Sequence, residues 1–149
     1  MDKIDRKILA ELQRNGRASL QEISQAVGLS STPCWTRMKK LEETGVIERY
    51  TVNLNADALG LVETVMVQVT LDSHSDNTLE KFGETLASIP EVVEAYLVSG
   101  EYDYLLRIAV KDTKDYERLL REKLYKIKGV RHSKSSFVLR TLKKSDLPL

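Results

Sequence analysis

Along the first third of the chain the apolar positions recur at helical spacing: Ile4, Ile8, Leu9 and Leu12, then Ile23 and Val27, then Cys34, Met38 and Leu41. Each run is framed by residues that start or stop helices. Asp2 caps the first, and Asn15-Gly16 ends it. Ser19-Leu20-Gln21-Glu22 is a capping box, in which the hydroxyl and the carboxylate reciprocally satisfy backbone amides that a helix start leaves free. Gly28 stands where the second helix must break sharply, since glycine enters left-handed backbone at no steric cost. Ser30 or Ser31 caps the third helix, Pro33 suits its first turn, and the helix runs to about Glu43 before Gly45 closes it. Residues 46–53 alternate, which predicts a short strand typical of a wing.

Asn55-Ala56-Asp57-Ala58-Leu59-Gly60 carries turn formers and little periodicity, and beyond it the pattern changes. Val65, Val67, Val69 and Leu71 alternate as a strand. Leu79, Phe82, Leu86 and Ile89 mark a helix that ends at Pro90. Residues 92–98 and 104–110 predict two further strands. Asp112 caps a helix carrying Tyr116, Leu119, Leu120, Leu124 and Ile127, Gly129 ends it, and a last strand is expected around residues 137–142. The order is βαββαβ, a ferredoxin-like split sandwich whose two halves echo one another. The fold class is therefore α+β, with a winged helix-turn-helix over residues 1–60 and an α/β sandwich over residues 61–149. Val92, Val93, Tyr96, Leu97 and Val98 place apolar side chains on both faces of one strand, more than a single helix layer covers. A second copy of the sheet is the simplest cover, and the resulting dimer would present two DNA-reading helices to a palindromic site.

At about 100° per residue, Cys34, Met38 and Leu41 share one side of the third helix, while Thr32, Thr36, Lys39 and Lys40 point the other way. Trp35 and Arg37 lie on opposite flanks. Hydroxyls and lysines suit phosphates and base edges, and a flanking arginine grips phosphate or reaches guanine. Trp35 either touches a sugar or thymine methyl or packs beside the first helix. An isolated basic helix is most simply a solvated face; the capped helix and the Gly28 turn before this one point instead to double-stranded DNA.

Composition narrows the picture further. The net charge is +1, with nine Lys or Arg against seven Asp or Glu in residues 1–50 and fourteen against fifteen beyond, so any DNA binding rests on local charge. One cysteine, placed inward as packing, cannot form an internal disulfide, and with His74 and His132 alone no zinc cluster assembles; neither metal nor cofactor is expected. No apolar run spans a membrane and the start is too charged for a secretory signal, which predicts a cytoplasmic protein. Neither histidine stands beside a nucleophile and no phosphate-cradling glycine motif occurs, so no enzyme mechanism is expected.

Three stretches carry a family resemblance: Ile4-Asp5-Arg6-Lys7-Ile8-Leu9 with Leu12-Gln13; Val27-Gly28-Leu29-Ser30-Ser31-Thr32-Pro33-Cys34-Trp35 leading to Leu41-Glu42; and Ser99-Gly100-Glu101-Tyr102-Asp103-Tyr104-Leu105. Together with the βαββαβ half they resemble the Lrp/AsnC family, the feast/famine regulators, over essentially the whole chain. The resemblance implies a winged helix-turn-helix joined by a hinge strand to a ligand-binding RAM domain, which dimerises through its sheet and assembles to octamers or similar rings. It also implies a small-molecule effector, commonly an amino acid, held between dimers beside the glycine loop, so that Ser99, Gly100, Glu101, Tyr102, Asp103 and Tyr104 become candidate effector residues.

The chemistry of that loop fits independently, since Gly100 permits close backbone approach, an amide binds a carboxylate, and Asp103 or Glu101 binds an ammonium. Tyr102 and Tyr104 are alternatively sheet packing or dimer contacts, and Gly100-Glu101 a plain hairpin turn. Ser135 and Ser136 fall where the family often adds hydroxyl contacts. Thr32-Pro33-Cys34-Trp35, the glycine loop, Ser135-Ser136-Phe137 and the closing Leu147-Pro148-Leu149 resemble a proteobacterial subgroup acting on amino-acid catabolism or detoxification. The expected function is a sequence-specific transcriptional regulator whose DNA binding or assembly responds to an amino acid or related metabolite. The alternative is an architectural protein that wraps DNA without a signal.

Overall fold

A computed structural model describes all residues except His74, Asp146 and Leu149, together with the side chain of Asp76. The turn expected at His74 and the last residue of the closing Leu147-Pro148-Leu149 motif lie outside the described residues. The chain divides into two compact units, Met1–Leu54 with Lys143–Leu149, and Asn55–Leu142.

The first unit holds three helices, α1 (Lys3–Arg14), α2 (Leu20–Val27) and α3 (Ser31–Glu43). Their ends follow the capping chemistry of the sequence. Asp2 accepts the N–H groups of Ile4 and Asp5, and Asp5 accepts the N–H of Asp2 in return. Ser19 and Glu22 form the same reciprocal box at α2. Gly28 takes φ +75, and the chain turns there with the Leu29 N–H donating to the Ser24 carbonyl at 2.9 Å. Ile8, Ile23, Val27, Cys34 and Leu41 are buried together. At about 1.5–3 kcal/mol for each large aliphatic side chain removed from water, this is a small core. Partly buried hydrophobics, among them Ile4, Leu12, Leu20 and Met38, pack around it.

Residues 46–53 differ from expectation, because they form no strand. Alternation alone does not make one: a strand needs a neighbour to take its N–H and C=O groups, and among the described residues none pairs with this segment. Ile47 packs on the core and donates its N–H to Leu41, while Val46, Tyr50 and Val52 are exposed. The Tyr50 hydroxyl donates to Glu42 at 2.7 Å. The closing segment belongs to this unit: Lys144 Nζ reaches Asn53, and Gln13 reaches the Leu147 carbonyl.

The second unit carries strands β1 (Glu63–Leu71), β2 (Val92–Leu97), β3 (Tyr104–Val110) and β4 (Val130–Phe137) with helices α4 (Asp76–Ala87) and α5 (Thr113–Glu122). The strands form one antiparallel sheet in the order β2-β3-β1-β4. This is the βαββαβ arrangement expected from the sequence. Val65, Val67, Val69 and Leu71 alternate inward onto Phe82, Leu86, Tyr116 and Leu119 of the helices.

Two boundaries shift. The last strand lies earlier than residues 137–142, because its pairing partner decides: Leu71 opposes Val130 and Val65 opposes Phe137. β4 is mostly polar and shows weak alternation, whereas the apolar Leu139 and Leu142, which suggested the later position, are exposed. The final helix ends at Glu122 and a separate 3-10 turn, Leu124–Lys126, carries the buried Leu124.

Candidate nucleic-acid interface and effector loop

The outward face of α3 follows from the burial of Cys34 and Leu41, which leaves Thr32, Trp35, Thr36, Lys39 and Lys40 exposed. They are spaced three and four residues apart and so share one surface. Trp35 resolves as a surface residue: it is 53% exposed, and the Lys39 ammonium lies 5.4 Å from its ring centroid. Lys39 also pairs with Glu43 at 3.6 Å. The Thr36 hydroxyl donates to the Thr32 carbonyl at 3.1 Å, and its oxygen keeps lone pairs for a further donor.

Arg37 is placed differently from its neighbours. Its Nη1 donates to Asp2 Oδ2 at 2.6 Å and to Asp5 Oδ1 at 2.8 Å, so the guanidinium faces α1. The Asp5 N–H and then Arg37 hold the Asp2 carboxyl down to about 2. Asp5 is lowered as well, by the Asp2 N–H and by Arg37. Sequence spacing gave no sign of these partners, which are 35 and 32 residues away. Burial raises the Cys34 thiol, which is wholly inaccessible.

The glycine loop joins β2 to β3. Gly100 takes φ +135, a conformation open to glycine and strained for other residues. Ser99 and Glu101 are exposed and Tyr102 is half-buried. Asp103 pins the loop to the sheet: its N–H donates to Val69, its carbonyl accepts from Val98, and its carboxylate accepts the Leu71 N–H at 2.7 Å. Tyr104 is a core residue, with its ring 5.0 Å from that of Phe82 and its hydroxyl on the Leu79 carbonyl at 2.7 Å. Between the alternatives of site and sheet packing, its placement is that of packing.

Ser135 and Ser136 are not brought to this loop within one chain. They lie on β4, with β1 between them and β3, roughly 10 Å across the sheet at ordinary strand spacing. The two also face opposite sides. The Ser135 hydroxyl meets Tyr116 on the helix side, an interaction the sequence did not suggest, whereas Ser136 opposes Met66 on the other face. That other face carries Met66, Leu105 and Tyr96, and around them Arg107 binds Glu94 at 2.6 Å.

A cleft of about 480 Å3 opens on the helix side between α4 and the turn before β4, lined by Ser73, Thr78, Lys81, Phe82 and Lys128 among others, and none of residues 99–104 lines it. Among the described residues no group of His, Cys, Asp and Glu could hold a metal ion, and no helix is long and apolar enough to cross a membrane.

Known proteins match both units. Residues 1–48 match the winged helix-turn-helix DNA-binding family, and residues 64–148 match the Lrp/AsnC ligand binding domain. The leucine-responsive regulatory protein of Escherichia coli is 40% identical over 146 residues, 98% of this chain and 89% of its own. The crystal structure of an AsnC family transcriptional regulator from Agrobacterium tumefaciens superposes with a TM-score of 0.94 at 40% identity, covering 99% of this chain and 97% of its own. A transcriptional regulator from Neisseria meningitidis, solved as a complex with L-methionine, gives 0.93 at 34% identity over 99% and 96%. With a DNA-binding helix-turn-helix and this ligand-binding fold in one chain, the protein belongs to the Lrp/AsnC family and is a DNA-binding transcriptional regulator rather than an enzyme.

Proposed function

We propose that α3 docks on double-stranded DNA through Thr32, Trp35, Thr36, Lys39 and Lys40, and that an amino acid bound at the Ser99-Gly100-Glu101-Tyr102 loop controls DNA affinity or assembly. The lysines take phosphates, while Thr36 and Trp35 face base edges and thymine methyls. Asp103 and Tyr104 contribute as the frame that fixes the loop, and Ser136, on the face away from the helices, as a group supplied from a neighbouring copy, with Ser135 bracing β4 through Tyr116. The observation that carries this reading is the separation of the loop and Ser136 by an intervening strand: a pocket using both needs more than one chain.

Dimers joined through the sheet face away from the helices, assembling to octamers or similar rings, supply that second chain and present paired α3 helices to a palindromic operator. The L-methionine complex of the Neisseria regulator and the leucine-responsive name of the Escherichia coli relative support an amino-acid effector. We infer further a cytoplasmic regulator of the proteobacterial subgroup acting on amino-acid catabolism or detoxification.

Thermal unfolding of the full-length protein with each of the twenty amino acids, followed by light scattering with any that stabilises it, tests the effector. At least one is expected to raise the unfolding temperature and to change particle size or DNA affinity. A protein indifferent to all of them, binding DNA with weak sequence preference as a large particle, would instead be the architectural wrapper.

A further inference from the structure

Arg37 follows directly after the DNA-facing Thr36, yet its guanidinium is committed elsewhere. One nitrogen, Nη1, holds both Asp2 and Asp5, the two carboxylates that cap α1. The middle of α3 is thereby tied to the first turn of α1. At the start of α3 itself Ser30 occupies the cap position without a side-chain cap hydrogen bond among the described residues.

We infer that Arg37 is a positioning residue: by clamping α3 to the capped start of α1 it sets the angle at which the DNA-facing side chains are presented, and it does not itself bind phosphate. The inference rests on α3 being the DNA-facing helix. Two charge arguments favour the clamp over a phosphate contact. Drawing the Nη1 end of Arg37 onto DNA would break two charge-assisted hydrogen bonds. It would also leave two carboxylates without their cation beside a polyanion, adding like-charge repulsion where attraction is needed. The side chain is also only one-third exposed, so its stem is held among the residues it braces.

The test measures binding of the full-length protein to a duplex that it enriches from a random-sequence library, across a series of salt concentrations. The variants are Arg37→Gln, Asp5→Asn, their combination, and Lys40→Ala as a reference. Asp5→Asn removes charge but keeps an oxygen to cap α1, so it reports even if loss of Arg37 loosens the unit. A clamp predicts that Arg37→Gln and Asp5→Asn each weaken binding about tenfold, that the double variant is no weaker than the worse single one, and that the salt slope is unchanged. Arg37→Gln lowering the slope by about 0.9, with Asp5→Asn neutral or tighter, would assign Arg37 to phosphate and overturn the inference. Unaltered affinity in both single variants would overturn it too. Lys40→Ala separates the two readings: an unchanged affinity and slope there removes α3 from DNA, whatever Arg37 does.

Discussion

The Lys39 ammonium sits 5.4 Å from the centre of the Trp35 ring, on the outward side of α3. An indole half in water and covered by a cation contributes little to the core. Trp35→Ala is therefore expected to change unfolding free energy in urea by no more than about 0.5 kcal/mol, whereas a tryptophan buried in the core would cost about 3–5 kcal/mol. DNA affinity should fall. Loss of stability on the larger scale, with DNA affinity intact, would return Trp35 to a packing role.

The clamp between Arg37 and the start of α1 has a pH signature. Asp2 is depressed from its ordinary 3.8 to about 2. A carboxyl lowered in the folded state contributes its stabilisation in full above the ordinary value and loses it as pH falls through the folded one. The first unit should thus lose this contribution between 3.8 and about 2, and the clamp should be fully ionised near neutral pH, where DNA is bound. Carboxyl carbon chemical shifts of Asp2 followed by NMR should give a midpoint near 2; a midpoint at the ordinary value would contradict the geometry.

Cys34 is enclosed, and burial raises its thiol above the ordinary range. Both effects suppress thiolate reactivity. In the native protein near neutral pH the thiol should resist a disulfide-exchange reagent on a timescale of hours and react promptly after denaturation in guanidinium. Prompt modification of the folded protein, with loss of DNA binding, would point to a redox role.

Gly100 has open space where a β-carbon would stand but a backbone φ of +135, so a larger residue meets conformational strain and no clash. Gly100→Val is expected to lower the stability of the second unit by about 1–3 kcal/mol while leaving the helices of the first unit folded. It should also abolish the shift in unfolding temperature produced by any stabilising amino acid. Retention of that shift, with unchanged particle size, would take the loop out of the effector site.

Local signals were legible in the sequence and pairings were not. Asp2, Ser19 and Gly28 marked helix ends because capping is settled within four residues. The βαββαβ order followed from alternation in Val65, Val67, Val69 and Leu71. The misplacement of the last strand has the opposite origin, since β4 is defined by its ladder with β1 and its own residues alternate poorly. Likewise residues 46–53 alternate but find no strand partner among the described residues. At the site, the exposed face of α3 was readable from its periodicity. The tie from Arg37 to Asp2 and Asp5, and the burial of the Tyr104 hydroxyl on the Leu79 carbonyl, depend on contacts made across the fold.

The most direct measurement is the affinity of the full-length protein for its enriched duplex at fixed salt, titrated with L-leucine, L-methionine and then the remaining amino acids. At least one should change the dissociation constant by about fivefold or more, as a coupling of about 1 kcal/mol between the two sites requires. An affinity that stays constant with all twenty, in a protein whose particle size is equally unmoved, would contradict control of DNA binding by an amino acid.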